Sequence, residues 1–304
     1  MLVCWYHPKS TCFANAFENP SFRYRCLHIH NKLVQDGIDS RILHDIHDVK
    51  SIVDIPDVLL LSSFGLIEYQ LTKLVKENGG KILHDYCENI RGIPILEDTK
   101  KLCDYLICCG TALQRKEAEV YGDKAICIPD PIEEPHFIKN HYYKVKKDKL
   151  KAVWSGMGGN ALLPYTLLKP IVEDLGMEYI EISNRPQSNI KWDLSTWEKD
   201  MLSCDIALCP QAHWDFPMKS NVKVTAAMSL GLPVLASPIE SYSSIIRQGE
   251  NGYICQELDD WKNYLIELKD PEKRQKIAIK AFDALHPYRI DNVYAQWKKY
   301  IIGN

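Results

Sequence analysis

Short apolar runs alternate along this chain with longer stretches whose apolar positions recur every three or four residues. Leu2 to Tyr6 is apolar throughout and predicts a buried strand. After a loop over His7 to Pro20, Phe22, Cys26, Ile29 and Leu33 recur at helical spacing, with Ser21 as the N-cap and Gly37 ending the helix after Asp36. Strands are expected at Ser40 to Leu43 and Asp57 to Ser62, a helix at Glu68 to Glu77, and a strand at Lys81 to Leu83 leading into the polar triplet His84-Asp85-Tyr86. The alternation continues through a helix at Glu97 to Cys103, a strand at Tyr105 to Cys109, a helix at Thr111 to Tyr121 and a strand at Ala125 to Ile128. Pro129-Asp130-Pro131 stops it.

From Lys139 to Lys151 the sequence is lysine-rich, with Asp148 as its single acid, and this stretch reads as a linker able to act as a hinge. A second series then starts: a strand at Lys151 to Trp154, a glycine-bearing turn over Ser155 to Asn160, a helix at Leu163 to Leu175 and a strand at Glu178 to Ile182. A helix at Thr196 to Cys204, opened by the capping box Ser195-x-x-Glu198, leads to a strand at Asp205 to Cys209. The loop Pro210 to Lys219 holds His213, Trp214, Asp215 and Phe216, whose rings suit either a stacked base or the domain wall. Next come a helix at Ser220 to Leu230, a strand at Pro233 to Ala236, a loop over Ser237 to Ser244 and a helix from Ser241. Helices at Asp259 to Leu268, Pro271 to Ala284 and Ile290 to Ile301 complete the chain, the last with Ile290, Val293, Trp297 and Ile301 in one stripe.

Two runs of strand, helix, strand imply parallel sheets with right-handed crossovers, so the fold class is α/β with two Rossmann-like domains. The 304 residues suit that division. Domain boundaries are expected at 1–145 and 146–286, with 287–304 as a terminal helix. A net charge of −3 gives no field to attract a polyanion, which argues against nucleic acid as a partner. The 11 cysteines lack paired zinc spacings and a secreted framework, and reduced thiols account for them. With no signal-like N-terminus and no run of about 18 apolar residues, a cytoplasmic protein is expected, with at most peripheral contact at the inner face of a membrane. The cluster His44-Asp45-Ile46-His47-Asp48 is set aside as a metal site, because no element pattern converges its side chains.

Candidate chemistry concentrates between Lys219 and Cys255. A strand ending in a loop before a helix is where open α/β sheets hold ligands, and free N–H groups with Ser241 and Tyr242 at a helix start suit phosphate. Lys219, Ser220, Asn221 and Lys223 at the preceding helix start would add cations and donors. Gly158 and Gly159 after the earlier strand would let a ligand approach the backbone. In the first half, Arg23 and Arg25 suit phosphate or an acceptor, with exposed arginines as the competing reading. His84 and Asp85 stand where chemistry is usual in such a fold, with a capped turn as the alternative.

The order Lys223, Ala227, Met228, Gly231, Pro233, Val234, Ala236 and then Glu250-Asn251-Gly252 resembles the donor-binding region of GT-B glycosyltransferases of the family-four type. The chain departs from that pattern at the family's glutamate pair, where it carries Met218 and Ala226. The resemblance implies two domains facing a cleft, a terminal helix bracing the first domain, and transfer of a sugar from a nucleotide-sugar to a hydroxyl of a glycan or lipid-linked glycan. It further implies retention of configuration, no metal and no cofactor, with Lys223, supported by Lys219, stabilising the leaving diphosphate. The donor region contains no Asp-x-Asp, in keeping with this. A nucleotide-sugar epimerase and a non-catalytic binding subunit are the competing readings, the second motivated by Met218 and Ala226.

Overall fold

The structure, a computed structural model, describes residues 1–8, 18–45, 48, 54–86, 92–133, 149–211 and 218–303. It divides into two compact units. Unit 1 comprises Met1–Pro131, Met218–Ser220 and Ile290–Asn304; unit 2 comprises Ile132–Pro217 and Asn221–Arg289.

Unit 1 is a parallel sheet of β1 (Leu2–Tyr6), β2 (Asp39–Leu43), β3 (Val58–Leu61), β4 (Lys81–Tyr86), β5 (Tyr105–Cys108) and β6 (Ala125–Cys127). Their spatial order is β2-β1-β3-β4-β5-β6. The chain therefore adds β2 on one side of β1, crosses back and builds the rest on the other side, placing a topological switch between β1 and β3. Strands covered on both faces read as continuous apolar runs, and β1 and β3 are buried at every position. The terminal helix Ile290–Ile301 belongs to this core: Ile290, Val293, Trp297 and Ile301 pack with Val3, Trp5 and Leu60. Trp5 and Trp297 meet at 5.8 Å between ring centroids. Polar contacts hold the same helix, with Lys298 Nζ and the Tyr294 hydroxyl both donating to Asp36 Oδ2 and Lys81 Nζ donating to the carbonyl of Tyr300.

Unit 2 repeats the theme with β7 (Lys151–Ser155), β8 (Glu178–Ser183), β9 (Ile190–Lys191), β10 (Ile206–Cys209), β11 (Val234–Ala236) and β12 (Tyr253–Ile254). Here the order is β12-β11-β10-β7-β8-β9, the doubly wound arrangement of dinucleotide-binding folds, with its switch between β7 and β10. Both units set the register of their switch pair by one device. Asp57, just before β3, accepts the N–H of Leu2 at 2.7 Å, and Asp205, just before β10, accepts that of Lys151 at 2.8 Å. Each carboxylate satisfies a strand-end donor that would otherwise lack a partner.

Several local expectations give way to tertiary context. Ser21 has helical backbone angles and no capping bond, and its N–H is taken by the Asn19 side chain at 3.0 Å, so the cap lies two residues earlier. The box Ser195-x-x-Glu198 does not form either: Asp193 accepts both the N–H and the hydroxyl of Ser195, and the helix runs Trp197–Leu202. The helix expected over Leu163 to Leu175 is a wide π turn, Pro164–Leu168, followed by Lys169–Asp174. Pro170 has no N–H for the carbonyl four residues back, which accounts for the change of pitch. β4 extends through His84-Asp85-Tyr86, which are strand residues rather than a turn. The two-residue strands β9 and β12 are too short for any alternation to signal. Ile46, His47, most of the lysine-rich stretch and the aromatics His213, Trp214 and Phe216 with Asp215 lie outside the described residues. No helix among those described is long and apolar enough to cross a membrane.

Candidate functional site

At the carboxyl ends of β7 and β10, the place where an open α/β sheet holds its ligand, unit 2 positions one cation. Lys223 lies in the first turn of the helix Val222–Ser229, which is buried along most of its length, so the lysine is carried on a fixed element. Its Nζ stands 5.1 Å from the ring centroid of Trp154, itself buried in β7. A Cβ at Gly156 would fall 2.8 Å from Lys223 Nζ and 2.9 Å from Trp154 Cζ2, so only glycine leaves space for the ammonium there. At the end of β10 the same charge is felt by Cys209, whose thiol burial raises to about 12 while Lys223 pulls it down. Gln211, next along the chain, donates its N–H to Ser237 Oγ at 2.8 Å and ties that edge to the loop after β11. Lys223, Gly156 and Trp154 thus form one cluster at the switch point.

The other residues expected at this site are distributed differently. Lys219 and Ser220 fall with unit 1, whereas Asn221 and Lys223 belong to unit 2. Asn221 is buried with Oδ1 lacking a hydrogen-bond partner. Gly158 gives its N–H to Asn184 Oδ1 at 2.7 Å, and Asn184 and Arg185 close over its α-carbon, so this glycine serves internal packing rather than ligand approach. Gly159 has nothing within 4 Å of where a Cβ would be, and no close contact requires it. The helix expected from Ser241 is a single turn, Glu240–Ser243, with Tyr242 in the hydrophobic core. Its neighbours Ser237 and Ile239 already donate their N–H groups to Cys209 and Ser237 carbonyls. Tyr242 gives its own N–H to the Ile239 carbonyl, whereas the buried Oγ of Ser241 lacks a hydrogen-bond partner. Asn251 proves structural, bridging the Arg247 N–H and the Ile245 carbonyl.

Unit 1 carries a pocket of roughly 300 Å³ at the carboxyl ends of β1, β3 and β4, bordered by His7, Ser62, Ser63, His84, Asp85 and Tyr86. Both imidazoles are buried, and each leaves Nδ1 without a hydrogen-bond partner. Burial lowers His84 to about 4, with the Lys100 charge adding to the effect. His7 falls to about 4 through burial and the neighbouring His44. Asp85 rises to about 6 because burial outweighs the opposing charge of Arg25. The expectation that Arg25 meets a phosphate or acceptor is corrected: it is 1% exposed, its Nε bonds Asp85 at 2.7 Å, and its Nη1 bonds Asp130 Oδ1 at 2.7 Å. Its guanidinium also stacks 5.4 Å from the Trp297 ring centroid. Arg23 is likewise buried, beside Tyr24. Sequence periodicity missed this because a guanidinium can occupy a core when carboxylates from distant parts of the chain meet it, here Asp85 in β4 and Asp130 just after β6, and no local pattern records their converging.

Comparison with solved structures places the architecture. At 11% identity and a TM-score of 0.62, TarM from S. aureus matches 84% of this chain, which spans 58% of TarM's length. The lipopolysaccharide outer core galactosyltransferase WaaB matches 99% of both chains with a TM-score of 0.66 and 13% identity. HepE of Anabaena, in complex with UDP, matches 98% of this chain and 99% of its own with a TM-score of 0.62 and 12% identity. The chain has the GT-B fold. No protein-family model and no curated protein matches the sequence. Within the GT-B frame, the Lys223 cluster lies in the second Rossmann-like unit and the His84 pocket in the first. The positions of the family glutamates hold Met218, half-buried against the small apolar cluster of Tyr86, Leu96, Cys108, Cys109 and Leu113, and Ala226 on the Lys223 helix. Among the described residues, no three His, Cys, Asp or Glu side chains are grouped so as to hold a metal ion.

Proposed function

We propose that the protein is a glycosyltransferase that moves a sugar from a nucleotide-sugar to a hydroxyl of a glycan or lipid-linked glycan, with retention and without a metal. The observation that carries this reading is Lys223 at the β7–β10 switch point, beside a glycine that no other residue could replace without displacing the ammonium. When the glycosidic bond breaks, negative charge grows on the diphosphate, and a fixed cation in a water-poor site offsets it with little reorganisation. The sequence of the donor region supports the metal-free form, since it offers that cation and no Asp-x-Asp. TarM and HepE, solved in complex with UDP, and WaaB, a galactosyltransferase, support the donor class.

Ala226 and Met218 favour a second reading, a GT-B-like subunit that binds without catalysis, because no carboxylate stands at either position to hold a ribose. Calorimetry with UDP, GDP and dTDP, followed by turnover assays of the matching nucleotide-sugars with glycan acceptors, separates the two. Transfer supports the enzyme. Nucleotide-sugar binding with neither transfer nor hydrolysis supports the subunit, and no binding at all by a folded protein removes both.

A further inference from the structure

Two thiols stand side by side at one end of the unit 1 sheet. β5 ends at Cys108 and β6 at Cys127, and the two residues are register partners on these neighbouring parallel strands. Partners in register point to the same face of a sheet. Neighbouring strands lie about 4.8 Å apart, inside the separation of about 4.4–6.8 Å between α-carbons that a disulfide spans. Among the described strands, no other two cysteines share a register position. The two sulfurs differ in access. Cys108 is fully buried in the cluster of Tyr86, Leu96, Cys109 and Leu113, whereas Cys127 is half-buried on the edge strand β6. Burial pushes the Cys108 thiol up, and Glu117, Cys109 and Cys127 reinforce the shift. Cys108 therefore stays protonated, and Cys127 is the thiol of the two that an oxidant reaches first.

We propose that Cys127 and Cys108 are an oxidative modification site, forming under peroxide a reversible disulfide that staples β6 to β5. The Cys127 sulfur attacks one oxygen of hydrogen peroxide, the O–O bond breaks, and the thiol proton leaves with the departing hydroxyl as water, giving a sulfenic acid. The Cys108 sulfur then attacks the sulfenic sulfur. The S–S bond forms, the S–O bond breaks, and the hydroxyl takes the Cys108 proton as a second water. Two thiols lose two electrons between them and the peroxide gains them. The link closes a loop of about 20 residues around the helix Thr111–Tyr121, which restricts the unfolded chain. It also fastens the segment after β6, where the Ile128 carbonyl and the Asp130 carboxylate hold Arg25 at 3.0 and 2.7 Å. None of this depends on the proposed activity.

The test treats the full-length protein with hydrogen peroxide, blocks the remaining thiols with iodoacetamide and sequences the unreduced tryptic peptides by mass spectrometry. Trypsin releases Cys108 within residues 102–115 and Cys127 within residues 125–139. These two peptides should be recovered linked, with fragment ions placing the bond at Cys108, and dithiothreitol should separate them. The link should be lost in Cys127→Ser and in Cys108→Ser and retained in Cys103→Ser and Cys109→Ser. Circular dichroism certifies that each variant is folded, and if Cys108→Ser is not, the fragment ions of the wild type decide the position. The linked protein should melt at a higher temperature than its reduced form, and dithiothreitol should reverse the rise. The inference is overturned if Cys127 is recovered unmodified or as the sulfinic acid without a link, if the link runs to Cys103 or Cys109, or if the linked protein melts no higher than the reduced one.

Discussion

At the scale of the residue, Lys223 carries the sharpest expectation. On the proposed function its charge opposes charge that develops in the transition state, so Lys223→Ala should lower kcat by roughly 100- to 1000-fold and weaken nucleotide binding. Lys219→Ala, which alters a lysine assigned to the other unit, should act more mildly. Equal turnover in wild type and Lys223→Ala would remove the donor site as assigned. The buried histidines set a pH dependence. His7 and His84 drop from 6.5 to about 4 in the fold, so below pH 6.5 the unfolded chain takes up protons that the native state refuses. Stability is therefore full above 6.5 and lost as pH falls toward 4, by about 3 kcal/mol for each ring at the lower limit. Asp85 acts in the opposite sense, since its pKa rises from 3.8 to about 6 and its contribution, present at low pH, is lost as pH rises through that interval. Two rings outweigh one carboxyl, and the melting temperature should fall between pH 6.5 and 4.5. A flat profile there would show that the rings are solvated.

At the scale of the element, the terminal helix shows how far a sequence pattern reaches. The stripe Ile290, Val293, Trp297 and Ile301 was legible because it repeats at helical spacing, and all four side chains are buried. Its partners were not, since Trp5 and Leu60 lie on distant strands. Trp297 is fully buried, so Trp297→Ala should cost roughly 3–5 kcal/mol, read from denaturant midpoints. A loss below about 1 kcal/mol, the range of surface substitutions, would mean that the helix is not anchored there. Helix starts were read less well. Ser21 and Ser195 have the right chemistry, but Asn19 and Asp193 occupy the angles from which a side chain reaches the first N–H groups. Capping depends on backbone direction, which composition does not encode.

For the whole molecule, the division of the chain yields a further test. Unit 1 recruits residues 290–304 after the chain has completed unit 2, so a chain ending at Arg289 should lose protection in the first sheet and keep it in the second. Hydrogen exchange followed by mass spectrometry should then show faster exchange across β1 and β3, with β7 and β10 unaffected. Uniform exchange throughout, or no change in β1, would contradict the assignment of the last helix to the unit 1 core.

The alternation of apolar runs and helical stripes by itself determined the α/β class, nearly all of the strands and the two series, because burial on both faces of a parallel sheet leaves a continuous apolar signature in each strand. That Lys223 stands at the start of a helix was also readable. Tertiary structure alone decided what Arg25, Tyr242, Gly156 and Gly158 do. One carboxylate from β4 and one from the segment after β6 turn Arg25 inward, the core absorbs Tyr242, and the ammonium of Lys223 and the Asn184 amide give the two glycines their separate reasons. Each role depends on groups brought together from distant parts of the chain, and side-chain charge or size acquires its function only from what the fold sets against it.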